Sequence, residues 1–114
     1  MRNTIKNHSD FAMTDKDLSA HCAFFIVRAK PAKIPDDARY GLITTKKTFR
    51  FAVHRNRAKR LLRDWIAYNE NMMLDDRDYV FVARRAILDA TRQEGRDAVR
   101  KALNWIRKSS QNDK

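Results

Sequence analysis

Residues 40–83 carry the pattern that most restricts the fold. Two short apolar runs, Tyr40-Gly41-Leu42-Ile43-Thr44-Thr45 and Tyr79-Val80-Phe81-Val82-Ala83, flank a stretch in which Ala58, Leu61, Leu62, Trp65 and Ile66 recur at i, i+3, i+4, i+7 and i+8. That spacing places five apolar side chains on one stripe of a 3.6-residue repeat, so the middle stretch reads as an amphipathic helix. The flanking runs are strand-length and rich in aromatic and β-branched residues. Strand, helix and strand in that order form a βαβ unit, which predicts parallel strands around 42 and 81. The run at 79–83 is apolar on both faces and belongs inside a sheet.

The rest of the chain adds to this unit. Cys22-Ala23-Phe24-Phe25-Ile26-Val27 reads as a further buried strand, with Pro31 to Asp37 as its turn. The link to Tyr40 is too short for a crossover helix, so these two strands are expected to be antiparallel. Asn7 or Ser9 is placed to cap a short helix carrying Phe11. Thr91-Arg92-Gln93-Glu94 is a capping box, and Ala98, Val99, Ala102, Leu103 and Ile106 follow at helical spacing. The chain of 114 residues is read as one domain, 1–114, with its tail from Ser109 expected to fray.

Charge narrows the partners. The 25 Lys and Arg residues against 14 Asp and Glu leave a formal +11, which points to a polyanion. The excess is not evenly spread. Between Ala38 and Arg63 there is no acid, while Arg39, Lys46, Lys47, Arg50, Arg55, Arg57, Lys59, Arg60 and Arg63 supply nine positive charges. Surface helices charged only for solubility mix signs and gain a few tenths of a kcal/mol per i,i+4 pair; Arg55 to Arg63 forgoes that pairing. Cations near a helix start also oppose its dipole. Phosphate, gripped by guanidinium forks, is the counterpart that would offset the repulsion.

Other chemistry finds little support. The histidines His8, His21 and His54 are scattered, without the spacing of a metal pair or a known catalytic motif. His54 projects toward the apolar side of its helix and is read as packing. Asp75, Asp76 and Asp78 lack the glycine and distal glutamate of a calcium loop and read as a polar turn before a strand. The lone Cys22 forms no internal bridge and is expected to pack in its strand; a reducing cytoplasm is the expected compartment. No apolar run approaches the roughly 20 residues of a bilayer span, and the start lacks a signal peptide's apolar block, so a soluble, unexported protein is expected.

From Lys46-Lys47 through Ala52-Val53-His54-Arg55-Asn56-Arg57-Ala58-Lys59-Arg60-Leu61-Leu62-Arg63, the sequence resembles the signature of the bacterial ribonuclease P protein component. The pattern is KK, then AV, one residue, RNR, x, KR, x, x, R. Asp10-Phe11 resembles the family's N-terminal acidic-Phe pair, Arg39-Tyr40-Gly41-Leu42 its strand entry, and Asp78-Tyr79-Val80-Phe81-Val82-Ala83-Arg84 its last strand. Two positions depart from the pattern. Thr48-Phe49-Arg50-Phe51 is glycine-free and one residue longer than usual, and Asp15 stands where a second aromatic is common. Phe49 or Phe51 is a substitute stacking surface if exposed, although core packing is the ordinary fate of Phe.

The resemblance implies an α+β fold: a four-stranded mixed sheet with helices in the order αβββαβα, with an unusual left-handed βαβ crossover, against the general rule, like that of a ribosomal small-subunit protein domain. It implies the accessory subunit of an enzyme that removes 5′ leaders from precursor tRNA, in which the RNA subunit, with magnesium ions held mainly by RNA and substrate, does the cutting. This chain alone would be non-catalytic. Arg55, Asn56, Arg57, Lys59, Arg60 and Arg63, together with Lys46, Lys47 and Arg50, would bind the ribonuclease P RNA. Phe11, Lys46, Lys47 and Arg84 would bind the single-stranded leader, aromatic faces stacking on bases while cations follow the backbone. Neither membrane nor DNA is an expected partner. The alternative is a general basic RNA-binding or ribosome-associated module without a processing role. A self-sufficient nuclease fits least.

Overall fold

Alternating burial along one strand divides the sheet into two unlike faces. In the computed structural model, which describes residues 3–4, 18–32, 39–74 and 76–112, five strands form one sheet: β1 (Asn3–Thr4), β2 (Leu18–His21), β3 (Phe25–Pro31), β4 (Arg39–Ile43) and β5 (Arg77–Ala83). Along β3, Phe25, Val27 and Ala29 are buried while Ile26, Arg28 and Lys30 are only partly covered, the period of two expected of a strand. The spatial order is β1-β4-β5-β3-β2. The main body is thus the four strands β4-β5-β3-β2, with two-residue β1 added at one edge.

The sheet is mixed. β4 lies parallel to β5, with Tyr40 opposite Tyr79 and Ile43 opposite Val82; β3 runs antiparallel to β5, and β2 antiparallel to β3. The expected βαβ unit is present: β4, helix α1 (Ala52–Tyr68) and β5. β5 pairs on both edges, and its run at 79–83 is buried at every position but the partly covered Val82. Helix α2 (Arg92–Asn112) completes the order βββαβα after β1. The expected N-terminal helix around Phe11 lies outside the described residues.

The two helices cover one sheet face. Ala58, Leu62, Trp65 and Ile66 of α1 and Val99, Ala102, Leu103 and Ile106 of α2 meet Phe25, Val27, Tyr79 and Phe81 in one core. Asn69 ends α1 from within: its Nδ2 donates to the Trp65 carbonyl (2.9 Å) and to the Arg96 carbonyl of α2 (3.0 Å). α2 starts on the predicted capping box, the Glu94 N–H donating to Thr91 Oγ1 (3.1 Å) and the Thr91 N–H to Glu94 Oε1 (2.9 Å). Val80 is buried yet stands apart from this core, on the second face with Ile26, Arg28 and Val82.

The structure departs from the sequence expectations at four places. β3 begins at Phe25, not Cys22; Cys22-Ala23-Phe24 instead turn the chain from β2, the Cys22 N–H donating to the Phe25 carbonyl at 3.0 Å. Cys22 is accordingly half-buried in a turn rather than packed in a strand. β2 itself, Leu-Ser-Ala-His, is too short and polar to stand out as a strand. β3 and β4 run in opposite directions but are not partners, because β5 lies between them. Finally, α2 continues past Ser109 to Asn112, and Arg77 Nε donates to Ser110 Oγ at 3.3 Å.

Asp78, fully buried, accepts from the Arg39 backbone N–H (2.7 Å) and from its guanidinium (3.1 Å). The acidic turn expected at 75–78 therefore ends in a clamp between β4 and β5. Among the described residues, no helix is long and apolar enough to cross a membrane.

Candidate nucleic-acid interface

The cationic stretch is organised by the loop that feeds α1. After β4, the Thr48 N–H donates to Thr45 Oγ1 (3.2 Å) and the Phe49 N–H to the Thr45 carbonyl (2.9 Å), a tight turn that leaves Lys46 and Lys47 outside and buries Phe49 completely. The two phenylalanines of this segment divide between core and surface. Phe49 enters the core; Phe51, the N-cap of α1, stays 57% exposed. The Arg50 guanidinium lies 5.8 Å from the Phe51 ring centre, and His54 meets the ring edge-on at 5.7 Å.

Helix α1 has no capping side chain and no acid in its first turn. Arg55 instead ties the loop to the helix, Nη1 donating to the carbonyls of Phe49 (2.8 Å) and Arg50 (3.3 Å). Of the nine residues assigned to RNA binding, Arg55 is thus half-committed to holding the loop against the helix. Lys46, Lys47, Arg50, Asn56, Arg57, Arg60 and Arg63 are exposed and Lys59 is partly covered. Among the described residues, no carboxylate lies within ion-pair distance of Lys46, Lys47, Arg50, Arg57, Lys59, Arg60 or Arg63; the ion pairs sit elsewhere, at Arg39–Asp78, Arg92 and Arg96 with Asp64, and Arg100–Asp97. Nor do these cations point inward, since the buried positions of the helix are Ala58, Leu62, Trp65 and Ile66. The stripe is neither neutralised nor hidden.

The register gathers the leader-binding candidates at one end of the sheet. Ile43, Val82, Ile26 and His21 lie side by side across β4, β5, β3 and β2. Lys46 and Lys47 follow β4 by a few residues, and Arg84 follows β5 directly, so all three leave the sheet at this same end. Arg84 is exposed, its Nη2 lying 3.5 Å from His21 Nδ1, while its backbone N–H donates to the Phe24 carbonyl at 2.9 Å. Phe11 lies outside the described residues.

Sequence reasoning did not anticipate the contacts at the far side of α1. Asp64, the first acid after the basic run, accepts from Arg96 of α2 through both oxygens (3.2 and 3.4 Å) and lies 4.0 Å from Arg92. Arg96 also stacks on Tyr68 at 4.2 Å. The isolated acid closing a nine-cation run was the available signal.

A protein-family model described as Ribonuclease P matches residues 1–107. The chain is 43% identical over 77 residues to the Ribonuclease P protein component of Chromobacterium violaceum, a match covering 68% of this chain and 60% of that protein. With the component from Pelotomaculum thermopropionicum it shares 40% over 65 residues, 57% of each chain. It thus spans about 60% or less of the length of these curated relatives. The RNase P protein structure from Staphylococcus aureus superposes with a TM-score of 0.76 at 26% identity over 93% of this chain and 96% of that one. The RNase P protein from Thermotoga maritima shares the fold, with a TM-score of 0.70 at 20% identity over 86% and 92% of the two chains. With nearly its whole length inside the family model, the chain belongs to the ribonuclease P protein family.

Proposed function

We propose that this chain is the protein subunit of ribonuclease P, binding the enzyme's RNA through α1 and its feeding loop, and the 5′ leader of precursor tRNA at the end of the sheet where Lys46, Lys47 and Arg84 emerge. One observation carries the reading: the exposed stripe of Arg57, Arg60 and Arg63 has no carboxylate partner among the described residues, on a helix whose opposite face is buried in the core. The contribution is positioning and charge neutralisation. Fixed cations replace part of the counterion atmosphere that a folded RNA and its substrate otherwise require, which strengthens binding and lowers the demand for magnesium.

Phosphodiester hydrolysis in this proposal belongs to the RNA. Among the described residues, no three His, Cys, Asp or Glu side chains converge to hold an ion, and Asp78 is committed to Arg39. In this proposal the chain's own part is electrostatic. The compartment in which it works is proposed to be the cytoplasm, with the half-buried Cys22 as a free thiol.

Reconstitution tests the proposal. The chain is mixed with a bacterial ribonuclease P RNA and a leader-bearing tRNA at low magnesium, with each component also omitted in turn. Cleavage that needs both RNA and protein supports the assignment. Binding without stimulation of cleavage replaces it with a general RNA-binding role, and cleavage by the protein alone overturns the division of labour.

A further inference from the structure

A cavity of about 300 Å³ opens between α1 and the first turn of α2, lined by Arg57, Arg60, Leu61, Asp64, Trp65 and Arg92. Its polar wall is strongly one-sided. Among the described residues, no carboxylate lies within ion-pair distance of Arg57 or Arg60, and Arg92, 75% exposed, reaches Asp64 only at 4.0 Å. Asp64 is itself held by a fourth guanidinium, Arg96, at 3.2 Å. Three cations therefore face one carboxylate that is already engaged.

One further feature points to an anionic occupant. Arg92 opens a helix of 21 residues, where the backbone dipole makes a cation unwelcome and an anion favourable. Trp65 closes the apolar floor of the cavity and is fully buried. At roughly 30 Å³ per water the cavity holds about ten waters' volume, which accommodates a phosphate with its attached ribose.

We infer that a backbone phosphate of the ribonuclease P RNA docks in this cavity, gripped by Arg57, Arg60 and Arg92, so that the RNA footprint crosses from α1 onto the first turn of α2. Asp64 pairs with Arg96 across the two helices at 3.2 Å and lies at 4.0 Å from Arg92. This inference rests on the proposed RNA-binding role and adds a contact on α2, outside the basic run.

The test measures affinity for the Chromobacterium violaceum ribonuclease P RNA against salt concentration for the full chain, Arg92→Ala, Arg92→Lys and Arg107→Ala. Arg107 is an exposed cation of the same helix, distant in sequence from the cavity, so its variant carries the same loss of net charge. Arg92→Ala is expected to bind roughly tenfold more weakly, equivalent to about 1.4 kcal/mol, with the log–log salt slope shallower by about 0.7 to 1. Arg92→Lys should restore the slope while recovering only part of the affinity, because a point charge cannot reproduce the guanidinium fork. If Arg92→Ala and Arg107→Ala behave alike while the full chain binds tightly, the cavity is not a phosphate site and the proposed function stands without it. If the full chain itself fails to bind the RNA, both readings fall together.

Discussion

Replacing Gly95 by alanine sets two physical effects of opposite sign against each other. Gly95 lies in the first turns of α2, where alanine is the better helix former by about 1 kcal/mol. A Cβ built at this position, however, falls 1.8 Å from Trp65 Cε2, 2.1 Å from Cζ2 and 2.4 Å from Cδ2. Ordinary contact is 3.4–4 Å, so indole and helix must separate by about 1.6 Å or more. The indole has little room to retreat: it is fully buried, with the Phe24 ring centre 6.0 Å away on another side. Overpacking of this kind costs up to about 3 kcal/mol, the upper end applying because the clash is with a rigid ring. The net expectation is a loss of about 2 kcal/mol. At a urea dependence of about 1.5 kcal/mol/M for a small domain, the midpoint should fall by roughly 1.3 M. Equilibrium urea unfolding followed by tryptophan fluorescence and circular dichroism measures it. A variant as stable as the parent, or more so, would refute the claim that α1 and α2 are seated by the indole on this glycine.

The remaining predictions concern the surface. Phe51→Ala should weaken binding of ribonuclease P RNA by roughly 5- to 150-fold if the exposed ring stacks on a base, the span corresponding to about 1–3 kcal/mol, while leaving both the salt slope and the thermal midpoint unchanged; a change in slope without loss of affinity at low salt would argue against stacking. The Glu94 carboxyl is held below its ordinary value of 4.5 by hydrogen bonds from the Thr91 backbone and then its hydroxyl. A depressed folded value means the group stabilises the fold at neutral pH, and that contribution is lost as pH falls from about 4.5 through the lowered value. Glu94→Gln should therefore be less stable than the parent at neutral pH, with the difference shrinking in acid. Thermal melts across that range check it, and a difference that grows with acidity would reverse the assigned sign.

Residues whose role is set by local periodicity were legible in the sequence. The α1 stripe, the parallel pairing of β4 with β5 and the capping box at Thr91 each depend on spacing within one element or between neighbours. The features that were not legible depend on contacts remote in sequence. β5 inserts between β3 and β4 because it is the strand able to be buried on both faces, and nothing local in β3 announces that. β2 offers four residues with one large apolar side chain, and becomes a strand through hydrogen bonds to β3. The fates of Phe49 and Phe51 are opposite, although both are Phe in one short segment, because the turn at Thr45 aims one inward and leaves the other at the helix start. Arg55, grouped by sequence with the RNA-binding cations, is also a loop clamp, since only the folded turn brings the carbonyls of Phe49 and Arg50 within its reach.

The same distribution of charge explains how α1 tolerates its own surface. Along the helix, Arg55 and Lys59, Lys59 and Arg63, Arg57 and Arg60, and Arg60 and Arg63 are like-charged neighbours at i+4 or i+3, each costing about 0.2–0.5 kcal/mol. Their sum, roughly 1–2 kcal/mol, is small beside the burial of Leu62, Trp65 and Ile66, which contribute about 1.5–3 kcal/mol apiece. Packing from behind thus holds the helix without any need for acids on its outer face. Several described acids are engaged elsewhere: Asp78 between strands, Asp64 between helices, Asp97 along α2 and Glu94 at its start. A carboxylate introduced at Asn56 would relieve repulsion in the free protein and oppose phosphate in the complex. Under the proposed function, the unrelieved repulsion is free energy that a bound polyanion would recover, which would tie the absence of acids between residues 38 and 63 to binding rather than to folding.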